Sequence, residues 1–300
     1  MLAMAPESSD FLTEMLHAHP QLGALVWFTV DETGVDHTVW AQQLMQSGLA
    51  HYGLPLRIAP STAYLRGLRL MQQAAGGRTL IRRVVRERGR TVHHWIRETV
   101  HADHVAFDLI AAIIRDTHRD TVSFVHAPGA ARPAEAEALT HLPDFMESAR
   151  RTYTPGDRRR QVRAWLAHVG SLRLAHAGPV HFVPDTAMGL IQALQSAQTA
   201  LGVQVWAMPV HHRSGDVIAT LTQSLDAEIT QKTTTLLRTI QAARQGNAVL
   251  STSRQAQLVG QLHDLSARVH HYADLFGTQL DQLTQQLDLA KQAVRSALTP

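Results

Sequence analysis

The chain has 300 residues, 45% of them hydrophobic, no cysteine, and 28 basic against 25 acidic side chains for a formal net charge of +3. That hydrophobic content supports a packed core and excludes a disordered polymer. The missing cysteines exclude disulfides, thiolate chemistry and cysteine-ligated zinc, and so small a net charge leaves any case for an anionic partner to local clusters.

In chain order, residues 9–19 read as a short helix stopped by Pro20. Leu22–Val30 is a buried strand closed by the turn residues Asp31 to Gly34. A helix is expected over Asp36–Ser47. Another runs from Pro60-Ser61-Thr62 to Ala75, where Gly76-Gly77 ends it. Four strand-like runs follow: Arg78–Arg88, Thr91–His101, Val105–Arg115 and Thr121–His126. Connections this short force antiparallel neighbours, because parallel pairing needs long crossovers. Periodicity alone leaves Val105–Ile114 open as a strand or a buried helix.

Beyond the Ala127–Pro133 loop, helices are expected over 134–151 and 157–169, with Asp157 in a capping position. A small hairpin, Ser171–Ala175 with Val180–Val183, leads to a helix capped by Asp185 and reaching Leu201. A strand, Val203–Met208, follows. Residues 1–212 therefore read as an α+β body, an antiparallel sheet with flanking helices.

Residues 213–300 differ in composition, with Pro300 as their only proline. One apolar stripe runs through Val217, Leu221, Leu225, Ile229, Leu236 and Ile240. A second runs from Leu258 through Leu262, Leu265, Val269, Tyr272, Phe276, Leu280, Leu283 and Leu287 to Val294. Steps of three and four residues mark packed helices, and Gly246-Asn247 marks a stop between them. Thr252 with Gln255 matches a capping box for the restart. The expectation is a long C-terminal antiparallel helical hairpin. Its distal helix, at ~65 Å if unbroken, must project, pair with a copy of itself or bend at Gly277. A homo-oligomer through residues 258–294 follows from a seam longer than one partner helix can cover.

No Walker loop, nucleophile elbow or His-Glu-x-x-His motif is present, so no catalytic residue, metal ligand or cofactor is assigned. Histidines pair at His17/His19, His93/His94, His101/His104, His211/His212 and His270/His271. Neighbours along a strand point to opposite faces, which separates His93 from His94. Met1–Asp10 shows no secretory leader, and the longest apolar runs fall short of the ~20 residues of a spanning helix. The expectation is a cytoplasmic protein without a membrane partner.

Two arginine clusters are the sharpest polar feature. Residues 78–90 hold six arginines against Glu87, and residues 150–163 hold six against Asp157. In a regular strand Arg82, Arg86 and Arg88 share one face, spaced to follow phosphates. Arg159, Arg160 and Arg163 gather on α-helical spacing near a helix N-terminus, which itself favours anions. Tyr153 and Trp165 lie close enough in sequence to stack. These six arginines are the candidate nucleic-acid contacts of a non-enzymatic binding protein. The competing reading is an assembly protein that self-associates through its helices, its arginines merely solvated.

The stretches Val92–Leu109 (VHHWIRETVHADHVAFDL), Gly178–Thr186 (GPVHFVPDT) and Leu262–Gly277 (LHDLSARVHHYADLFG) resemble an uncharacterised bacterial family known only as a domain of unknown function. The resemblance implies the same closing helical pair and transfers no functional residue.

Overall fold

A computed structural model describes residues 21–100, 103–129, 131–174, 178–211, 215–245, 251–277 and 280–298. The expected helix over 9–19, the His17/His19 pair, His101, His212 and the Gly246-Asn247 stop lie outside them. The fold is α+β, and every paired strand among the described residues is antiparallel. The described chain divides into two compact units. One holds residues up to Asp31, Ser47–Tyr52 and those from Arg159 onward; the other holds Glu32–Gln46 and Gly53–Arg158.

In the first unit, β1 (Gln21–Val30) lies between β10 (Val203–His211) and β9 (His181–Pro184), and β8 (Leu172–Arg173) completes the order β10-β1-β9-β8. The helix α5 (Pro155–His168) precedes β8, and α6 (Met188–Leu201) precedes β10 and packs on it. Along the chain this is the β-α-β-β-α-β arrangement of ferredoxin-like folds, with the second unit, which takes in the first turn of α5, inserted in sequence after β1 and interrupted only by Ser47–Tyr52. One sheet face buries Ala24, Val26, Val183, Val203 and Val205. On the other, Leu172 and Phe182 join the core of the C-terminal helices. Gly23 is required where β1 meets β9: a Cβ there would sit 2.2 Å from the Val183 carbonyl oxygen.

Those helices are α7 (Gly215–Gln245), α8 (Thr252–Phe276) and α9 (Asp281–Leu298). α7 and α8 pair as expected; helices in contact across so short a loop run antiparallel. The distal segment is not one rod. It stops at Gly277, which takes the left-handed conformation (φ 61°) and donates back to the Ala273 and Asp274 carbonyls, and α9 then packs against both α7 and α8. Every residue of the 258–294 stripe is consequently buried within the chain, from Leu258 to Val294. The uncovered seam that motivated self-association through this helix does not exist. Tyr272 Oη donates to the Gly170 carbonyl (2.7 Å), and the Arg268 guanidinium donates to the Ser171 carbonyl and to Glu228, tying α8 to the segment before β8.

The second unit is built on the meander β3 (Thr79–Glu87), β4 (Arg90–Val100), β5 (Val105–Asp116) and β6 (Thr121–His126). Val105–Asp116 is thus a strand, as pairing on both its edges requires. One face carries Ile81, Trp95, Ala111 and Ile113 against α2 (Pro60–Ala75), α3 (Pro133–Thr140) and α4 (Leu142–Arg151). The expected single helix over 134–151 is interrupted at His141 because Pro143 lacks the N–H that would continue it. Short elements complete the unit: α1 (His37–Gln46) and the bridge between β2 (Val35–Asp36) and β7 (Thr152–Tyr153). Arg97 and Glu135 form a largely buried ion pair beneath α3. No described helix is long and apolar enough to cross a membrane.

Candidate nucleic-acid interface

The first arginine cluster forms the β3–β4 hairpin, an edge of the meander. Arg82, Arg83, Arg86, Arg88 and Arg90 are all exposed, and none is within ion-pair distance of a carboxylate among the described residues. Gly89 makes the two-residue turn possible. It adopts φ +85°, and a Cβ on it would come within 2.5 Å of the His118 ring. The Thr117 N–H donates to the Gly89 carbonyl (2.8 Å), which lays the β5–β6 turn beside the hairpin tip. In that second turn the Asp116 carboxylate accepts from the N–H groups of Arg119 and His118, and these bonds hold its pKa below the usual aspartate value. Arg119 is exposed on the same turn.

The one-face expectation for Arg82, Arg86 and Arg88 fails. A bulge at Val84 shifts the register, so Arg82 pairs with His94 while Arg86 pairs with Thr91. Directly paired residues share a face, so Arg82 lies on the open face with His94, and Arg83 and Arg86 lie on the helix-covered side with His93 and Thr91. Arg88 is in the turn itself. The basic surface therefore wraps around an edge strand. His93 and His94 do point apart. His93 is buried with its Nδ1 2.9 Å from Tyr64 Oη, and burial, aided by the Arg83 charge, lowers its pKa.

The second cluster largely dissolves. Arg150 pairs with Asp120 and Arg151 with Glu147. Arg158 is buried, donating to the Thr33 carbonyl with its guanidinium 5.7 Å from the Trp40 ring centre. The α5 N-terminus is already satisfied from within: Asp157 Oδ2 accepts from the Thr154 N–H and hydroxyl, and Asp157 also pairs with Arg66. Arg159 is half-buried, and it and Arg160 both engage other groups. Arg163 is exposed. Tyr153 and Trp165 are buried, which removes them as stacking partners. The division between units falls between Arg158 and Arg159, so the second cluster is itself split: Arg150, Arg151 and Arg158 belong to the unit of the first cluster, and Arg159, Arg160 and Arg163 to the other.

Two features escaped the sequence. The exposed indoles of Trp27 and Trp206 face each other across β1 and β10, with ring centres 6.3 Å apart and planes 11° from parallel. A recess of about 370 Å³ beside Trp206 is lined by Asp31, Gln198, Thr199, Gly202 and Gln204. The alternation of V-Q-V-W-A-M over 203–208 carried part of this signal. The all-apolar run over 22–28 hid the other half, since no alternation marks which side of β1 is open. Separately, a cleft of about 960 Å³ between α5, α7 and α8 collects His168, Lys232, Arg254, Arg268 and His271. Among the described residues no three His, Asp or Glu side chains converge as metal ligands.

No curated protein and no solved structure matches the chain. The Val92–Leu109, Gly178–Thr186 and Leu262–Gly277 stretches all fall within the matched range, and the chain belongs to a family of unknown function (DUF6744), whose model matches residues 21–300.

Proposed function

We propose that this is a non-enzymatic binding protein for nucleic acid, contacting phosphate through Arg82, Arg86 and Arg88 of the β3–β4 hairpin, with Arg83, Arg90 and Arg119 beside them. The observation that carries this reading is the set of five exposed hairpin arginines that have no carboxylate partner among the described residues. Guanidinium groups held apart by strand geometry, and free of internal ion pairs, remain available to phosphate oxygens. Arg159, Arg160 and Arg163 contribute at most secondary contacts, because the helix terminus beside them holds its own aspartate. The test is fluorescence anisotropy with labelled duplex DNA, single-stranded DNA and RNA across a salt series. Arg86→Ala/Arg88→Ala weakens binding to all sequences alike and flattens the salt slope by about two. No binding at about 50 mM salt, where counterion release is most favourable, refutes the reading.

A second reading has its own observation. The open face of the meander exposes Val100, Val105, Phe107, Leu109 and Val125, an apolar surface on an uncovered sheet. In an assembly protein this face meets another sheet, and the edge arginines serve to block unwanted strand pairing. Light scattering on wild type and Phe107→Glu decides it: an oligomer that the charge dissolves supports assembly, and a monomer at tens of micromolar excludes it.

A further inference from the structure

We infer that the Trp27–Trp206 pair is a stacking platform for unpaired nucleobases, so that the partner engaged by this protein is a single strand. The inference rests on the nucleic-acid reading above and adds a second site on the other unit.

Trp27 and Trp206 occupy opposed positions on neighbouring strands, so both side chains stand on the same sheet face. They remain 36% and 40% exposed, while Trp40, Trp95 and Trp165 are at most 1% exposed. The C-terminal helices cover this face only further along, where Phe182 packs near Tyr272 and Phe276. Met208, half exposed, extends the uncovered apolar strip beside the indoles. Two near-parallel indoles on an open antiparallel sheet offer flat π surfaces of the kind on which sheet-based readers stack splayed bases.

The recess beside Trp206 argues for a base rather than another flat ligand. Gln198 and Gln204 each carry an amide that both donates and accepts, Thr199 carries a hydroxyl, and Asp31 a carboxylate. That set matches the mixed donor and acceptor edge of a base. The recess lining contains no basic side chain. A free nucleotide would place its phosphate near Asp31 without a cation, whereas in a strand the phosphates are held elsewhere and only the base enters. Duplex DNA cannot use the platform, because its bases are already stacked and paired.

Intrinsic fluorescence tests this directly, since the other three tryptophans are buried. Titration with single-stranded DNA or RNA of about twelve nucleotides quenches emission from the exposed pair, and duplex of the same sequence does not. Adenosine monophosphate alone quenches only weakly. Trp27→Ala and Trp206→Ala each weaken single-strand binding about tenfold while leaving the salt slope and duplex binding unchanged. Trp27→Phe and Trp206→Phe retain most of the affinity, which separates stacking from a folding defect. If single strands bind in anisotropy but neither quench the tryptophans nor respond to these substitutions, the platform is refuted and the hairpin reading stands. Stronger quenching by the mononucleotide than by the strand also overturns it, in favour of a small-ligand site. If no nucleic acid binds at all, the hairpin reading itself fails and the platform falls with it.

Discussion

Mild acidification should destabilise this protein through a buried histidine. His181 of β9 is 8% exposed, with its Nδ1 3.4 Å from Ser171 Oγ. Burial lowers its pKa from 6.5 to about 4; the charges of Arg173 and Arg163 push the same way, and Glu228 offsets them in part. The folded state therefore binds this proton less readily than the unfolded state. The sign follows: the neutral ring carries no penalty above about pH 6.5, and stability is lost as pH falls from there toward 4. Between pH 7 and pH 5 the difference in proton binding integrates to about 2 kcal/mol. Comparison with a His181 variant isolates this effect from every other titrating group. His93 of β4 acts in the same direction. The assay is urea unfolding of wild type and His181→Gln at pH 7 and pH 5, followed by circular dichroism. The wild type should lose about 2 kcal/mol more than the variant over this range. Equal losses in the two proteins would show that His181 is solvated in the folded state and that the burial argument is wrong.

Three further outcomes follow from the packing. Gly23→Ala should destabilise the first unit by about 3 kcal/mol, read as a lower melting temperature, because its methyl would collide with the Val183 carbonyl and the Phe182 ring. Arg97→Ala should cost about 3 kcal/mol by stranding the buried Glu135 carboxylate. Arg97→Met/Glu135→Leu should recover most of that loss in the same denaturation assay, since it removes both charges together. Gly277→Ala should cost only about 1 kcal/mol: the position needs a positive φ, but nothing lies within 4 Å of the added methyl. A larger loss there would mean that the break between α8 and α9 depends on more than backbone conformation.

Local chemistry by itself determined the elements of this protein. Short connections made β3 to β6 an antiparallel meander, and apolar spacing of three and four residues made Gly215–Gln245, Thr252–Phe276 and Asp281–Leu298 helical. Turn residues such as Gly89 and Gly277 marked reversals because only glycine enters the left-handed region without strain. Tertiary structure decided what those elements do to one another. The break at Gly277 was foreseeable, but whether α9 would fold back or project depended on α7 and α8 offering a joint surface for Leu283, Leu287 and Val294. The Arg82–Arg88 face could not be read from periodicity, because the bulge at Val84 arises from pairing with β4 and inverts every side chain beyond it. The second arginine cluster looked free in sequence because Asp120, Trp40 and Arg66, which occupy or satisfy its members, lie 30 or more residues away along the chain. Trp27 and Trp206 are 179 residues apart in sequence, and only strand register, a long-range property, places their rings face to face.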